Sequence, residues 1–322
     1  MRVGNLSYAA KAFRREIVGF SFKYPLSSVD DAAQRDSLSY YIKSPLLFLD
    51  DLAFDDEGVP RKRYRAQGLQ YNPLFIAWWA LHSLQRYVET GDNLHLSRFR
   101  SQTNWLREHV SCREDGAAIW PCHFDWQEGK ALLRAPWISA MYQGVVVSAL
   151  VRAYRLSGNK DFLELGTRAC KVFFQDIKEG GVRSDENGYI LYEEYPAQPL
   201  PRILDGFLFS LLGLYDLAGE TESAEILKLF NEGIVGLKAK LRFWDYRGKW
   251  TWYGSHRYLC PPHYHKLNWT LLQILGRMTR DQVLLDTARQ WDSSHLSWRD
   301  RAEIYFMFVV TKNLARLRLP RN

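Results

Sequence analysis

No stretch of the 322 residues stays apolar and uncharged for the ~18 residues that a membrane-crossing helix needs, so no membrane span is expected. The segment from Met1 to Ile17 carries Arg2, Lys11, Arg14, Arg15 and Glu16 and lacks an apolar signal core, which makes the cytoplasm the expected location. Cysteine is scarce: Cys112, Cys122, Cys170 and Cys260 are scattered without a CxxC spacing, so they read as buried free thiols. His263 and His265 miss the i, i+4 spacing of a helical zinc pair, and no metal site is expected. Acid is in deficit. The net charge is +7 and the pI is about 9.1, a balance that favours a polyanionic partner. Lysine and arginine are spread along the chain without a nucleic-acid motif, which points away from nucleic acid.

What the chain has in quantity is aromatic side chains, 15% of residues with 12 Trp among them. Aromatic clefts with polar rims suit sugar rings, whose C–H faces stack on them. Together with the basic charge, this composition points to an acidic carbohydrate.

Residues 1–66 are irregular by pattern. Phe20, Phe22 and Tyr24 alternate with other residues as in a short strand, and Asp50, Asp51, Asp55, Asp56 and Glu57 form an acidic, turn-rich stretch. The basic run from Gly58 to Arg65 reads as a solvated loop, or as a contact for a polyanion. Residues 67–322 read as a helical domain. Its first helix opens at Tyr71-Asn72-Pro73 and runs to Tyr87, ending near Gly91. Others run from about Ser139 to Tyr154, from Leu204 to Tyr215 and from His265 to Met278. Each is followed by a second helix, at about 94–110, 160–177, 222–241 and 281–293, and glycine stands where most of the first helices stop. From Tyr87 to Tyr154 is 67 residues and from Tyr154 to Tyr215 is 61. A period of ~60 exceeds the roughly 33–47 of ordinary helical solenoids. Hairpin-like insertions from Ile119 to Trp126, Val182 to Tyr195 and Trp244 to Tyr258 take up the excess. They precede the first helix of the next pair, so they gather on one face. The expected fold is mainly α, an incomplete α/α toroid with small β-hairpins at one mouth. A final amphipathic helix, about Arg301 to Arg316, carries Ile304, Phe308 and Val309 and serves to cover an edge or join two subunits.

The chemistry gathers at the insertions. Tyr192-Glu193-Glu194-Tyr195-Pro196 ends a strand, where two carboxylates suggest glycoside hydrolysis. Adjacent strand residues face opposite ways, however, so one glutamate with neighbouring phenols suits a single site better. Glu193 in an ion pair beside packed tyrosines is the structural alternative. The next insertion holds Trp250, Trp252, Tyr253, His256, Arg257 and Tyr258, followed by His263-Tyr264-His265 at a helix start. Tyrosine and histidine can move protons, and arginine can grip a carboxylate. The first two mouths offer Tyr71, Asn72, Trp78, Trp120, Asp125, Trp126, Trp137, Tyr142 and Gln143 for sugar binding or for the ring wall.

On these residues the chain resembles the C-terminal helical domain of the heparan sulfate D-glucuronyl C5-epimerase family. The resemblance rests on Tyr192-Glu193-Glu194-Tyr195-Pro196 with Leu204-Asp205-Gly206-Phe207 and the run Ser210 to Leu217. It extends to Ser139-Ala140-Met141-Tyr142-Gln143-Gly144 with Leu150 to Tyr154, and to Tyr264-His265 with Leu271 to Leu275. It covers roughly 70–322. The resemblance implies a polymer-level epimerase that converts D-glucuronate to L-iduronate residues by proton exchange at C5, with no redox cofactor, and a homodimer. It implies catalytic roles for Glu194, Tyr195, Tyr264 and a middle tyrosine placed at Tyr253, with Trp252 one step away. Tyr71, Asn72, Trp126, Tyr142, Gln143, Tyr192, His256, Arg257 and His265 are the candidate substrate-binding residues. The family's arginine-histidine order is reversed here as His256-Arg257, and Asn268 replaces a family histidine. The rival readings are a uronate polysaccharide lyase working by β-elimination, a non-catalytic binder of acidic glycans, and a hydrolase using one glutamate with Asp205 or Asp125.

Overall fold

The repeat in the sequence becomes four helix hairpins in the computed structural model, which describes residues 17, 19–30, 37–43 and 52–320. The pairs are α1 (Pro73–Thr90) with α2 (Asn93–Glu108), α3 (Ala140–Ser157) with α4 (Asp161–Ala169), α5 (Leu204–Thr221) with α6 (Ala224–Trp244), and α7 (Pro262–Thr279) with α8 (Gln282–Trp291). Within each pair the two helices pack together, and the first members stand side by side in the order α1, α3, α5, α7. The chain is mainly helical with small sheets.

Local chemistry sets most helix ends. The Asn72 and Ser139 side chains accept the Leu74 and Tyr142 N–H groups, capping α1 and α3. Proline opens α1 and α7, where a missing N–H costs nothing. Gly91 and Gly158 end α1 and α3 in the left-handed conformation. The expected glycine stop fails for α5, which runs past Gly219 and ends at Glu222 with φ 52°. α7 ends where the sequence places its end, with Arg280 at φ 54°.

The second helix of the second pair is shorter than expected. α4 stops at Ala169, and two short 3₁₀ turns follow, Cys170–Phe173 and Ile177–Glu179. The Gln143 side chain donates to the Ala169 carbonyl at 3.3 Å, and the Val182 N–H donates to Val172 O at 3.0 Å. These bonds draw the chain off the helical path.

The sheets are small antiparallel ribbons. β1 (Ser27–Ser28) pairs with β2 (Ile42–Lys43), and β3 (Leu52–Phe54), β4 (Pro60–Tyr64) and β5 (Gly68–Tyr71) form a three-stranded meander. The basic run expected as a loop is therefore the central strand of that meander, paired on both sides, with Lys62 over the Phe75 ring. Between α2 and α3 lie two hairpins, β6 (Ser111–Cys112) with β7 (Ala118–Ile119) and β8 (Trp126–Glu128) with β9 (Ala131–Leu133), rather than one spanning 119–126. The later two insertions contain hairpins as expected: β10 (Arg183–Glu186) with β11 (Tyr189–Tyr192), and β12 (Asp245–Tyr246) with β13 (Trp250–Thr251). Asn187 and Gly188 turn the former with φ 59° and 82°, the positive pair that matches strand twist. Phe20 and Phe22 form no strand. Their rings pack on Trp250, and Phe20 also meets Phe308, in a second small core. The last helix, α9 (Trp298–Arg318), covers that core with Ile304 and Phe308. Met1 to Glu16, Asp50 and Asp51 lie outside the described residues.

The main core centres on α3 and α5, whose contact is the most extensive in the molecule. Glycine makes it possible. A Cβ on Gly213 would fall 2.6 Å from the Gly144 Cα, and one on Gly144 would fall 2.6 Å from the Ser210 Cα, so two backbones touch where side chains would stand. Further along, Arg152 donates to Asp216 Oδ2 at 2.7 Å, Tyr41 O–H donates to Asp216 Oδ1 at 2.6 Å, and Arg152 also donates to the Ser39 carbonyl. This fully buried ion pair ties the 37–43 segment to both helices. At the glycine contact, G213A should lower the unfolding free energy by ~1–3 kcal/mol although alanine is the better helix former. Urea denaturation measures the change, and an unaltered midpoint would show that the helices part without cost.

Candidate active site

The N-terminal turns of all four first helices meet at one cavity of about 170 Å³. α1 contributes Leu74 and Phe75, α3 contributes Met141 and Tyr142, α5 contributes Asp205, and α7 contributes Tyr264. Aromatic walls come from Tyr64 on β4, Phe124, Trp126 on β8, and Trp137. Glu194 and Tyr195 enter from the end of the β10–β11 hairpin, and Tyr253 from beyond β13.

The segment that follows β11 turns its two glutamates apart, as the alternation in the sequence predicts. The Glu193 N–H donates to Val182 O at 2.8 Å, and its carbonyl accepts the Ala140 N–H at 3.1 Å. This backbone clamp turns the Glu193 side chain to Ser184, at 2.6 Å, and to Arg202. Glu194 faces the cavity instead. It lies on the backbone of Gly206, where a Cβ would collide with Glu194 Oε2 and fall 2.8 Å from its Cδ. Oε2 has no hydrogen-bond partner.

Burial dominates the electrostatics. It pushes the Glu194 carboxyl well above the usual carboxylate range, and the charges of Asp205 and Glu128 add to the rise. Asp205 is pushed up to about 7, again by burial, against a downward pull from its own N–H and that of Gly206. Tyr195, Tyr253 and Tyr264 are raised by burial first and then by surrounding carboxylates. At neutral pH they are phenols, able to donate. No Lys or Arg is among the lining residues. The favourable potential for an anion comes from the four helix N-termini, whose partial positive charges converge there. The arrangement suits removal and return of a proton next to a carboxylate.

The profile of the family described as D-glucuronyl C5-epimerase C-terminus matches residues 114–293, more than half of the chain. The chain belongs to this family. It is 33% identical over 216 residues to a D-glucuronyl C5-epimerase of Caenorhabditis elegans, a match covering 61% of this chain and 35% of that protein. The chain thus spans only about a third of that relative's length. An uncharacterized protein of Methanocaldococcus jannaschii is 26% identical over 212 residues, 64% of this chain and 67% of the relative. Among solved structures, a GH76 α-mannanase of Bacteroides thetaiotaomicron aligns with a TM-score of 0.48 at 12% identity, covering 84% of this chain and 78% of that one.

In this member of the C5-epimerase family, the four residues for which the resemblance implies catalytic roles, Glu194, Tyr195, Tyr253 and Tyr264, all line the cavity. The Tyr253 and Tyr264 rings lie 5.6 Å apart. Trp252 packs on Tyr246 in the second core, away from the cavity. Among the candidate binding residues, Trp126 and Tyr142 line the cavity. Asn72 stands one step behind, donating to the Tyr64 hydroxyl at 2.6 Å and the Tyr142 hydroxyl at 3.4 Å. The others are elsewhere. Gln143 is a buried brace between the Ala118 carbonyl and the Trp120 N–H. Tyr71 is on the surface, its hydroxyl on Asp55 and its ring against Trp105. Tyr192 is turned to α6, donating to Leu229 O at 2.7 Å. Arg257 is exposed and lies over the Phe243 ring. His256 is paired with Glu128 at 2.8 Å, beside the cavity but not in its wall.

The sequence reading missed Tyr64 and Glu128 and weighed Asp205 only as a hydrolytic acid. Glu128 carried a usable signal, two residues beyond Trp126 on an alternating hairpin, and the Trp126 indole donates to it at 3.2 Å. Tyr64 carried none. Among the described residues no group of three or more His, Cys, Asp and Glu is arranged to hold a metal, and no helix is long and apolar enough to cross a membrane. Cys122, Cys170 and Cys260 are buried free thiols, and Cys112 is exposed.

His265 is structural. Its Nε2–H donates to Trp291 O at 2.8 Å, leaving Nδ1 to accept from Thr251, and the ring stacks on Trp250. Burial lowers its pKa from 6.5 to about 3. A depressed histidine contributes stability that is present above pH 6.5 and lost as pH falls toward about 3. H265N should therefore flatten the fall in melting temperature over that window, and parallel wild-type and variant curves would contradict the assignment.

Proposed function

We propose that the chain is a polymer-level uronate C5-epimerase. Its reaction converts D-glucuronate into L-iduronate residues within a heparosan-like or other acidic polysaccharide. The observation that carries this reading is the meeting of Glu194 and Tyr195 from one hairpin with Tyr253 and Tyr264 from another mouth, in one aromatic cavity. Family membership supports the reaction class.

The C5 proton is weakly acidic because it lies beside the C6 carboxylate. When the C5–H bond breaks, its electron pair moves into the C5–C6 bond and charge builds on the carboxylate oxygens. The four helix N-termini and the neutral phenols stabilise that charge. Glu194, in its ionised form, takes the proton on one face, and the Tyr264 O–H delivers a proton to C5 on the other. Glu194 then carries one proton more and Tyr264 one fewer, and transfer between them through solvent restores the starting state. The sugar is neither oxidised nor reduced, so the reaction needs no redox cofactor.

A groove of about 550 Å³ shares Trp137 with the cavity and is rimmed by Arg113, His123 and Arg134, which suits the continuation of an anionic chain. This supports action on a polymer rather than on a free sugar. A homodimer belongs to the same reading: α9 turns Trp298, Phe306 and Leu317 outward, an apolar surface for a second copy. Light scattering should give twice the 37.7 kDa chain mass, and a monomeric mass would remove the dimer.

Incubation with heparosan in deuterium oxide tests the reaction. Deuterium at C5 and iduronate signals in the NMR spectrum are expected. A product with the ultraviolet absorption of an unsaturated uronate would make the protein a lyase, in which the C4 oxygen leaves after proton abstraction. Polymer binding without either change would make it a binder. Y264F should lower exchange by ~10²-fold or more while leaving polymer binding in place.

A further inference from the structure

The cavity holds a second carboxyl group that the reaction above does not use. Asp205 and Glu194 come from different elements, the first turn of α5 and the end of the β10–β11 hairpin, and the peptide of Gly206 serves both. Its N–H faces the Asp205 carboxylate, while its Cα, bare of a side chain, is the seat of the Glu194 carboxyl. Both acids are more than nine-tenths buried, and Glu194 Oε2, aimed into this corner, has no hydrogen-bond partner. Two carboxylates in such a space do not both ionise readily, whereas a proton held between them satisfies the unpartnered oxygen.

We propose that Asp205 is a positioning residue that shares one proton with Glu194 across Gly206 and thereby keeps Glu194 available as an ionised base toward C5–H near neutral pH. The proposal rests on the epimerase reading for its consequence but not for the pair itself. One negative charge resides on the two groups near neutral pH. Asp205 carries it more readily because two backbone N–H groups face it at a helix N-terminus. When the charge passes to Glu194 and the proton to Asp205, Glu194 can accept the C5 proton. The shared proton stabilises that anion and keeps Glu194 ionised at a pH where burial alone would protonate it. The other titratable groups facing the pair are Glu128 on β8, Tyr142 on α3, Tyr195, Tyr253, Tyr264 on α7, and Cys260. None of them is cationic, so nothing among them cancels the charge that the pair carries, and Glu128 adds to the rise of both acids.

Thermal unfolding without substrate tests the pair. A carboxyl held at about 7 in the fold and at 3.8 outside it contributes stability below pH 3.8 that is lost as pH rises to about 7. D205N keeps an oxygen for the two N–H groups but cannot ionise, so its melting temperature should gain on wild type as pH rises through that window. E194Q should flatten the same window, and the double variant should add little to either single one. Additive effects, or no change in the window, would overturn the shared proton. With the wild type active in the deuterium assay, D205N should move the acid limb of the pH–rate profile to higher pH by about one unit or more and lower the rate at neutral pH. An unmoved limb with a uniform loss of rate would make Asp205 merely structural. If the wild type shows no exchange at any pH, the epimerase reading fails, and the unfolding curves still decide the pair.

Discussion

The structure depends on the approach of two helix backbones. α3 and α5 touch where Gly144 and Gly213 lack side chains, and this contact sets where the N-terminal turns of both helices stand. The same helix that carries Gly213 begins with Asp205-Gly206, and the same helix that carries Gly144 begins with Ala140, whose N–H holds the Glu193 carbonyl. Packing in the core and placement of Glu194 in the cavity are therefore one constraint. Gly206 repeats the device at the site, with a carboxyl group in the space where a Cβ would be.

The electrostatics follow from burial rather than from paired charge. Neither Arg257 nor His256, which the sequence offered for substrate binding, is in the cavity wall. Four helix N-termini supply the positive potential instead, and they do so without the desolvation cost of a buried guanidinium. Dryness keeps the phenols protonated and makes the carboxyls weak acids, the conditions under which protons can be exchanged with carbon. Where the fold does bury a guanidinium, at Arg152, it matches it with Asp216 and the Ser39 carbonyl, remote from the cavity wall.

The chemistry of the cavity also explains why residues adjacent in sequence divide between roles. Glu193 and Glu194 differ only in the direction in which the backbone clamp turns them. One is spent on Arg202 and the other is left without a partner at Oε2. Trp252 and Tyr253 divide the same way, one to the second core and one to the site. His265, next to Tyr264, is buried as a neutral strut between Trp291 and Thr251.

The sequence by itself determined the repeat of helix pairs, because apolar spacing, Asn72 and Ser139 caps, Pro73 and the Gly91 and Gly158 stops are local signals that act through the chain's own backbone. Alternation likewise required Glu193 and Glu194 to face opposite ways, and the family resemblance named Glu194 as the one at the site. Tertiary structure alone decided which aromatic and polar residues face the cavity. Tyr71, Gln143, Tyr192 and Arg257 have the right chemistry for sugar binding, yet each is claimed by a partner distant in sequence or by solvent. Tyr64 and Asp205 enter the wall because β4 packs on α1 and because α5 begins where the other three first helices begin. Convergence of four helix starts on one point is a property of packing, and no window of sequence contains it.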